Sequence, residues 1–159
     1  MTSAGTLFDL TFLLAAPFWL LMIFAPTWSV TARIASSPLT AVPVAVVYAV
    51  LVAPVFPEVW AAVTGPELPG FQELMTLPNG AAAVWAHIIA WDLLAGQWMF
   101  LQGRKLGLSP WLMGPLLVLA ILLSPLALLA FLALRATRRK AARHDGSRHD
   151  TARPVASGG

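Results

Sequence analysis

Hydrophobic positions gather into four runs along the chain, parted by short polar or turn-rich stretches. They are residues 7–26 ("LFDLTFLLAAPFWLLMIFAP"), 38–56 ("PLTAVPVAVVYAVLVAPVF"), 81–103 ("AAAVWAHIIAWDLLAGQWMFLQG") and 111–134 ("WLMGPLLVLAILLSPLALLAFLAL"). About twenty apolar residues, at 1.5 Å each, cross a hydrocarbon core of roughly 30 Å. Inside lipid such runs must be helical, because only helices satisfy their own backbone groups. The pattern therefore predicts an all-α, polytopic membrane protein with four transmembrane helices. Pro17, Pro43, Pro54, Pro115 and Pro125 lie within or at the ends of the runs. Interior prolines remove a donor and bend a helix, so proline kinks are expected, above all at "LLSPL", 122–126.

The connections are read from their turn residues. Residues 27–37 form a short loop with Trp28 and Arg33, and 57–80 form the longest link, bounded by "TGPELPG" and "LPNG". Between those signals "FQELMTL" allows one or two helical turns at the interface. In "GRKLGLSP", Ser109 is suited to cap a helix that starts at Pro110. Residues 1–136 form the membrane domain, and the polar, basic tail 137–159 is expected to be disordered. The N-terminus lacks the basic flank and the processing site of a signal peptide.

Composition agrees with this class: 58% of the 159 residues are hydrophobic and 11% charged. With no cysteine, disulfides, zinc–thiolate sites and thiol nucleophiles are excluded. Seven of the ten Lys/Arg lie after residue 134, while 58–80 carries Glu58, Glu67 and Glu73 and no base. Four crossings place both termini on one side. Counting the tail bases puts the termini inside; counting Arg33, Arg104 and Lys105 in the short loops puts them outside. The tail count is taken as the expectation. Arg104, Lys105, Arg135, Arg138, Arg139 and Lys140 are expected to meet lipid headgroups or to set topology, and nucleic acid is not an expected partner.

The third run holds the polar positions that need explaining. Asp92 is the midpoint of 81–103. A carboxylate there costs about 2.5–3.5 kcal/mol on insertion scales, so it must face the bundle interior or a wet cavity with a partner. On a helical wheel Trp85, Asp92, Gly96 and Gly103 share one face, and His87, Trp91, Leu94 and Trp98 share another. His87 and Asp92 point about 140° apart, which argues against a His–Asp pair within the helix. Gly96 would let a neighbouring helix approach, and Thr11, Tyr48, Ser124 and Gln97 could partner Asp92. Two readings of Asp92 stand: a buried packing hydrogen bond, or ligand binding and proton transfer. Trp91 suits either core packing or a flat conjugated ligand. No phosphate loop, dinucleotide fingerprint or metal-ligand spacing occurs, so no cofactor and no metal is expected.

Trp85-Ala86-His87, Asp92-Leu93, Gly96 and Trp98 together resemble the signature of the abscisic-acid-deficient-four-like family, small membrane proteins related to the plant neoxanthin-synthesis protein. "APFWLLMIFAPTW" is similar to that family's first helix and its exit. "GRKLGLSPWLMGPLLVLAILLSPLALLAFLALR" is similar to its last loop and helix, so the likeness spans about residues 7–136. The resemblance implies a four-helix membrane protein that acts on or binds a carotenoid or other apolar terpenoid. It puts His87 and Asp92 at the motif positions, and these two are taken as the candidate catalytic residues; Trp85, Trp91, Gly96 and Trp98 are taken as the candidate substrate-binding residues. The alternative is a non-catalytic scaffold, or an accessory protein holding lipid or pigment for a membrane partner. The plant plastid segment is missing, so the expected location is a bacterial cytoplasmic membrane.

Overall fold

The computed structural model describes residues 3–151, with side chains through Arg138. Every regular element among them is helical. Helix α1 (Ala4–Phe24) starts where the Ser3 hydroxyl accepts the Thr6 amide. Its face of Thr11, Ala15, Trp19 and Met22 is buried, and Thr11 returns its hydroxyl proton to the Leu7 carbonyl at 2.8 Å. After the short α2 (Ser29–Ala35) comes a nearly continuous rod. It consists of a 3₁₀ turn (Pro38–Ala41), α3 (Val42–Val52), a second 3₁₀ turn (Ala53–Val55) and α4 (Phe56–Thr64). Prolines occupy the first turn of each of its four segments, where a missing N–H breaks no helical bond. They divide the rod into segments, and the second apolar run consequently stays helical beyond residue 56.

The helical turns expected within "FQELMTL" are part of α5 (Leu68–Thr76), which buries only Leu74. Helix α6 (Pro78–Lys105) follows, and α7 begins at Pro110, as the Ser-Pro signal predicts, and runs to Thr151. The polar tail expected from Thr137 is thus helical in backbone as far as Thr151, and residues 152–159 lie outside the described region. Side chains of Arg139 and Lys140 also lie outside it.

Helix α6 is the hub, packed by α1, α3 and α7. Eleven of its 28 residues are buried, against four of 21 in α1. Contacts fix the directions of its neighbours. Phe8 stacks on Trp85 at 5.1 Å and Trp19 lies over Gly96, so α1 runs parallel to α6. The Gln97 amide donates to Thr40 Oγ1 at 2.5 Å and Tyr48 meets His87, so the rod runs antiparallel.

Helix α7 does both. Its first half is antiparallel, with Met113 against Gly103 and Ser124 against Asp92. At Leu123 the backbone leaves the helix (φ −146°, ψ 63°). Beyond it Phe131 packs edge-on to Trp98 at 5.6 Å, and Arg135 lies over the same indole at 5.4 Å. Later residues of α7 thus meet the later part of α6: the chain has turned back. The kink expected at 122–126 is a reversal.

Among the described residues, three stretches are long and apolar enough to cross a membrane: Ala4–Phe24, Pro38–Thr64 and Pro110–Arg138. Two features differ from the four proline-kinked crossings expected. The run 81–103 forms a helix of sufficient length but lower hydropathy, and the last apolar stretch is two half-helices. The second also sets the start of α1 and the returning half of α7 towards opposite ends of α6. Phe8 lies near the start of α6, beside Trp85, whereas Arg135 lies towards its end, beside Trp98.

Candidate functional site

The break in α7 falls beside the midpoint of α6. Ser124 and Pro125 open the second half-helix, with proline in its first turn, where no amide donor is needed. Half-buried Asp92 has the Ser124 hydroxyl as its polar neighbour. Its carboxylate therefore stands near the N-terminal end of that half-helix, where the backbone dipole favours negative charge. Non-helical backbone at membrane depth is tolerated only when shielded by protein or facing a cavity, and Asp92 and Ser124 provide polar company for it. Of the four possible partners of Asp92, the tertiary structure selects Ser124.

His87 is placed elsewhere. Exposed on its helix, it lies 5.8 Å from the Tyr48 ring and 6.3 Å from Trp91, centroid to centroid. With Tyr48 it closes one end of an apolar cavity of about 310 Å³ beneath α4 and α5, walled by Val59, Val63, Phe71 and Leu74. His87 and Asp92 thus serve different neighbours, as the wheel indicated.

The tryptophans separate in the same way. Trp91 and Trp98 line one apolar groove of about 410 Å³ with Leu94, Ala95, Leu128 and Leu132, between α6 and the returning half of α7. Trp91 is 60% exposed there. Trp85 turns to α1, stacked on Phe8, with its indole N–H buried and unpartnered. Gly96 also faces α1: a Cβ would run into the Trp19 ring. The structure brings Trp91 and Trp98 together as a lining and sets Trp85 and Gly96 apart from it.

Among the cations, Arg104 donates to the Pro26 carbonyl and covers the Phe100 ring at 5.8 Å. Arg135 caps Trp98 with its Nε buried and unpartnered, while Lys105 and Arg138 are exposed. No cluster of three or more metal-ligating side chains occurs among the described residues. Two contacts escaped sequence reading, Trp19 on Gly96 and Tyr48 on His87. Nothing in local spacing gives the offset between α1 or α3 and α6.

An apolar helical assembly built around a central helix, with a polar contact at a broken helix, defines a multi-pass α-helical membrane protein. Residues 6–131 match the ABA DEFICIENT 4-like family, and the chain belongs to it. No curated protein and no solved structure matches the chain.

Proposed function

We propose that the protein is a three-crossing membrane protein with a re-entrant helical hairpin, and that it binds and chemically rearranges an apolar isoprenoid of the carotenoid type. In this reading α1, the α3–α4 rod and α6 cross the bilayer. Helix α6 spans about 42 Å, and its lower hydropathy is tolerable because its neighbours shield it from lipid. The two halves of α7 enter and leave from one side, in place of a fourth crossing.

The observation that carries the functional reading is the aromatic groove of Trp91 and Trp98, next in sequence to Asp92 and the break in α7. Its apolar walls suit a polyene, whose extended π-system stacks on indole rings. A carboxyl in a dry interior can deliver and recover a proton, which epoxide opening or double-bond migration requires. Family membership supports the substrate class. His87, facing a separate cavity, is assigned to the second site and not to the same proton transfer.

The test is chromatography of pigment extracts from cells with and without the gene, complemented by Trp91→Ala and Asp92→Asn. The expected outcome is a changed polyene profile on deletion, restored by the native gene. Asp92→Asn protein should retain bound polyene but lose turnover, whereas Trp91→Ala should lose the polyene absorption band on purification. An unchanged profile on deletion refutes the catalytic reading. Full activity of Asp92→Asn excludes proton transfer by that group.

The second reading, a scaffold or pigment-holding accessory, is favoured by one feature: Asp92 already has an internal partner in Ser124. A stoichiometric protein partner, purified without pigment, would support it.

A further inference from the structure

Two cavities adjoin where α1 ends, α6 ends and α7 begins. The smaller, about 240 Å³, is walled by Thr27, Phe100 and Arg104. The larger, about 790 Å³, is an almost wholly apolar groove between Phe24 of α1 and Trp111, Gly114, Pro115 and Val118 of α7. Pro26 and Pro110 line both, so the two meet. A cationic head and an apolar trough are therefore continuous.

Three details make this more than an ordinary lipid-facing surface. The Arg104 guanidinium has a neutral protein acceptor, the Pro26 carbonyl, so its charge is not cancelled there, and among the described residues no acceptor takes the further donors of its fork. Stacking over Phe100 holds the group in place. At Gly114 an added Cβ would meet nothing within 4 Å, so the missing side chain keeps the trough deep without serving the packing of the protein. Trp111, 92% exposed, borders the trough.

We propose that this composite site binds one anionic glycerophospholipid. Its phosphate sits on Arg104, and one acyl chain lies in the trough beside Trp111. Guanidinium offers paired donors to phosphate oxygens that an ammonium group cannot reproduce.

Lipids brominated on the acyl chain quench nearby indoles, which gives the test. The full chain is reconstituted in zwitterionic bilayers, and the Trp111 signal is obtained by difference from Trp111→Phe. Brominated phosphatidylglycerol should quench it at a mole fraction about fivefold below brominated phosphatidylcholine. That ratio corresponds to about 1 kcal/mol per basic residue near an anionic surface. Arg104→Gln should abolish the preference, and Gly114→Leu should weaken quenching by phosphatidylglycerol while leaving the helical circular-dichroism signal intact. Equal quenching by the two lipids in the native protein overturns the proposal. So does a preference that survives both substitutions, and if Arg104→Gln does not fold, an unaltered Gly114→Leu overturns it alone.

Discussion

Three glycines on α6 make room for close approaches from three other elements. The Leu74 backbone carbonyl of α5 lies where a Gly80 Cβ would be, the Trp19 ring of α1 over Gly96, and the Met113 sulfur of α7 2.6 Å from the position of a Gly103 Cβ. Without a hydrophobic driving force between helices in lipid, such close approaches supply much of the attraction. Gly96→Leu should therefore cost about 1–3 kcal/mol, the usual penalty of overpacking, read as a lowered unfolding midpoint in detergent. An unchanged midpoint would mean that Trp19 does not occupy this space. The sequence singled out Gly96 as a point of approach but not its occupant. It likewise set His87 and Asp92 on separate faces, because residue spacing alone fixes directions around a helix. Their partners, Tyr48 and Ser124, come from other helices and needed the tertiary fold.

At the scale of elements, α6 and α7 show how far an apolar pattern can be trusted. Positions 113, 117, 120, 124, 127, 131 and 134 follow one another at spacings of three or four, the stripe of a straight helix. The sequence thus read the run 111–134 as a crossing with a kink. Ser124 precedes a proline and is disfavoured in the α conformation, Pro125 cannot donate to the preceding turn, and Leu123 takes up the break. The halves then cover α6 twice, and the stripe is buried on both arms. Cysteines introduced as Trp98→Cys and Leu132→Cys should be joined by a short bifunctional thiol reagent, since both native residues line one groove. A straight α7 would separate these positions by roughly 20 Å, beyond the reach of such a reagent. Failure of that cross-link in a folded protein would restore the straight helix.

For the whole molecule, the reversal changes the distribution of charge. Arg33, Arg104 and Lys105 lie at one end of the bundle, and the returning α7 brings Arg135 and Arg138 towards it. Asp9, Glu58, Glu67 and Glu73 lie towards the other. In the proposed re-entrant arrangement, two counts of basic residues that oppose each other along a four-crossing chain would agree: short loops and the end of α7 would share a side, and the basic-inside rule predicts that side to be cytoplasmic. The chain has no cysteine, so single introduced thiols report topology cleanly. Ser3→Cys should react with an impermeant maleimide on intact cells, and Ser109→Cys and Thr137→Cys only after permeabilisation. Labelling of Ser3→Cys and Thr137→Cys from the same side would contradict the re-entrant arrangement.

By itself the sequence determined the helical membrane class, the start of α7 at Pro110, the breaking point near Pro125 and the isolation of Asp92 in an apolar run. These follow from hydropathy, proline chemistry and the 3.6-residue period, which act within a few turns of chain. Only the tertiary structure decided that α6 is the hub, that Asp92 meets Ser124, that Trp91 and Trp98 share a groove while Trp85 and Gly96 face α1, and that α7 turns back. Each of those depends on the offset and direction of one helix against another. That choice is made by packing between distant segments, and periodicity within one segment carries no record of it.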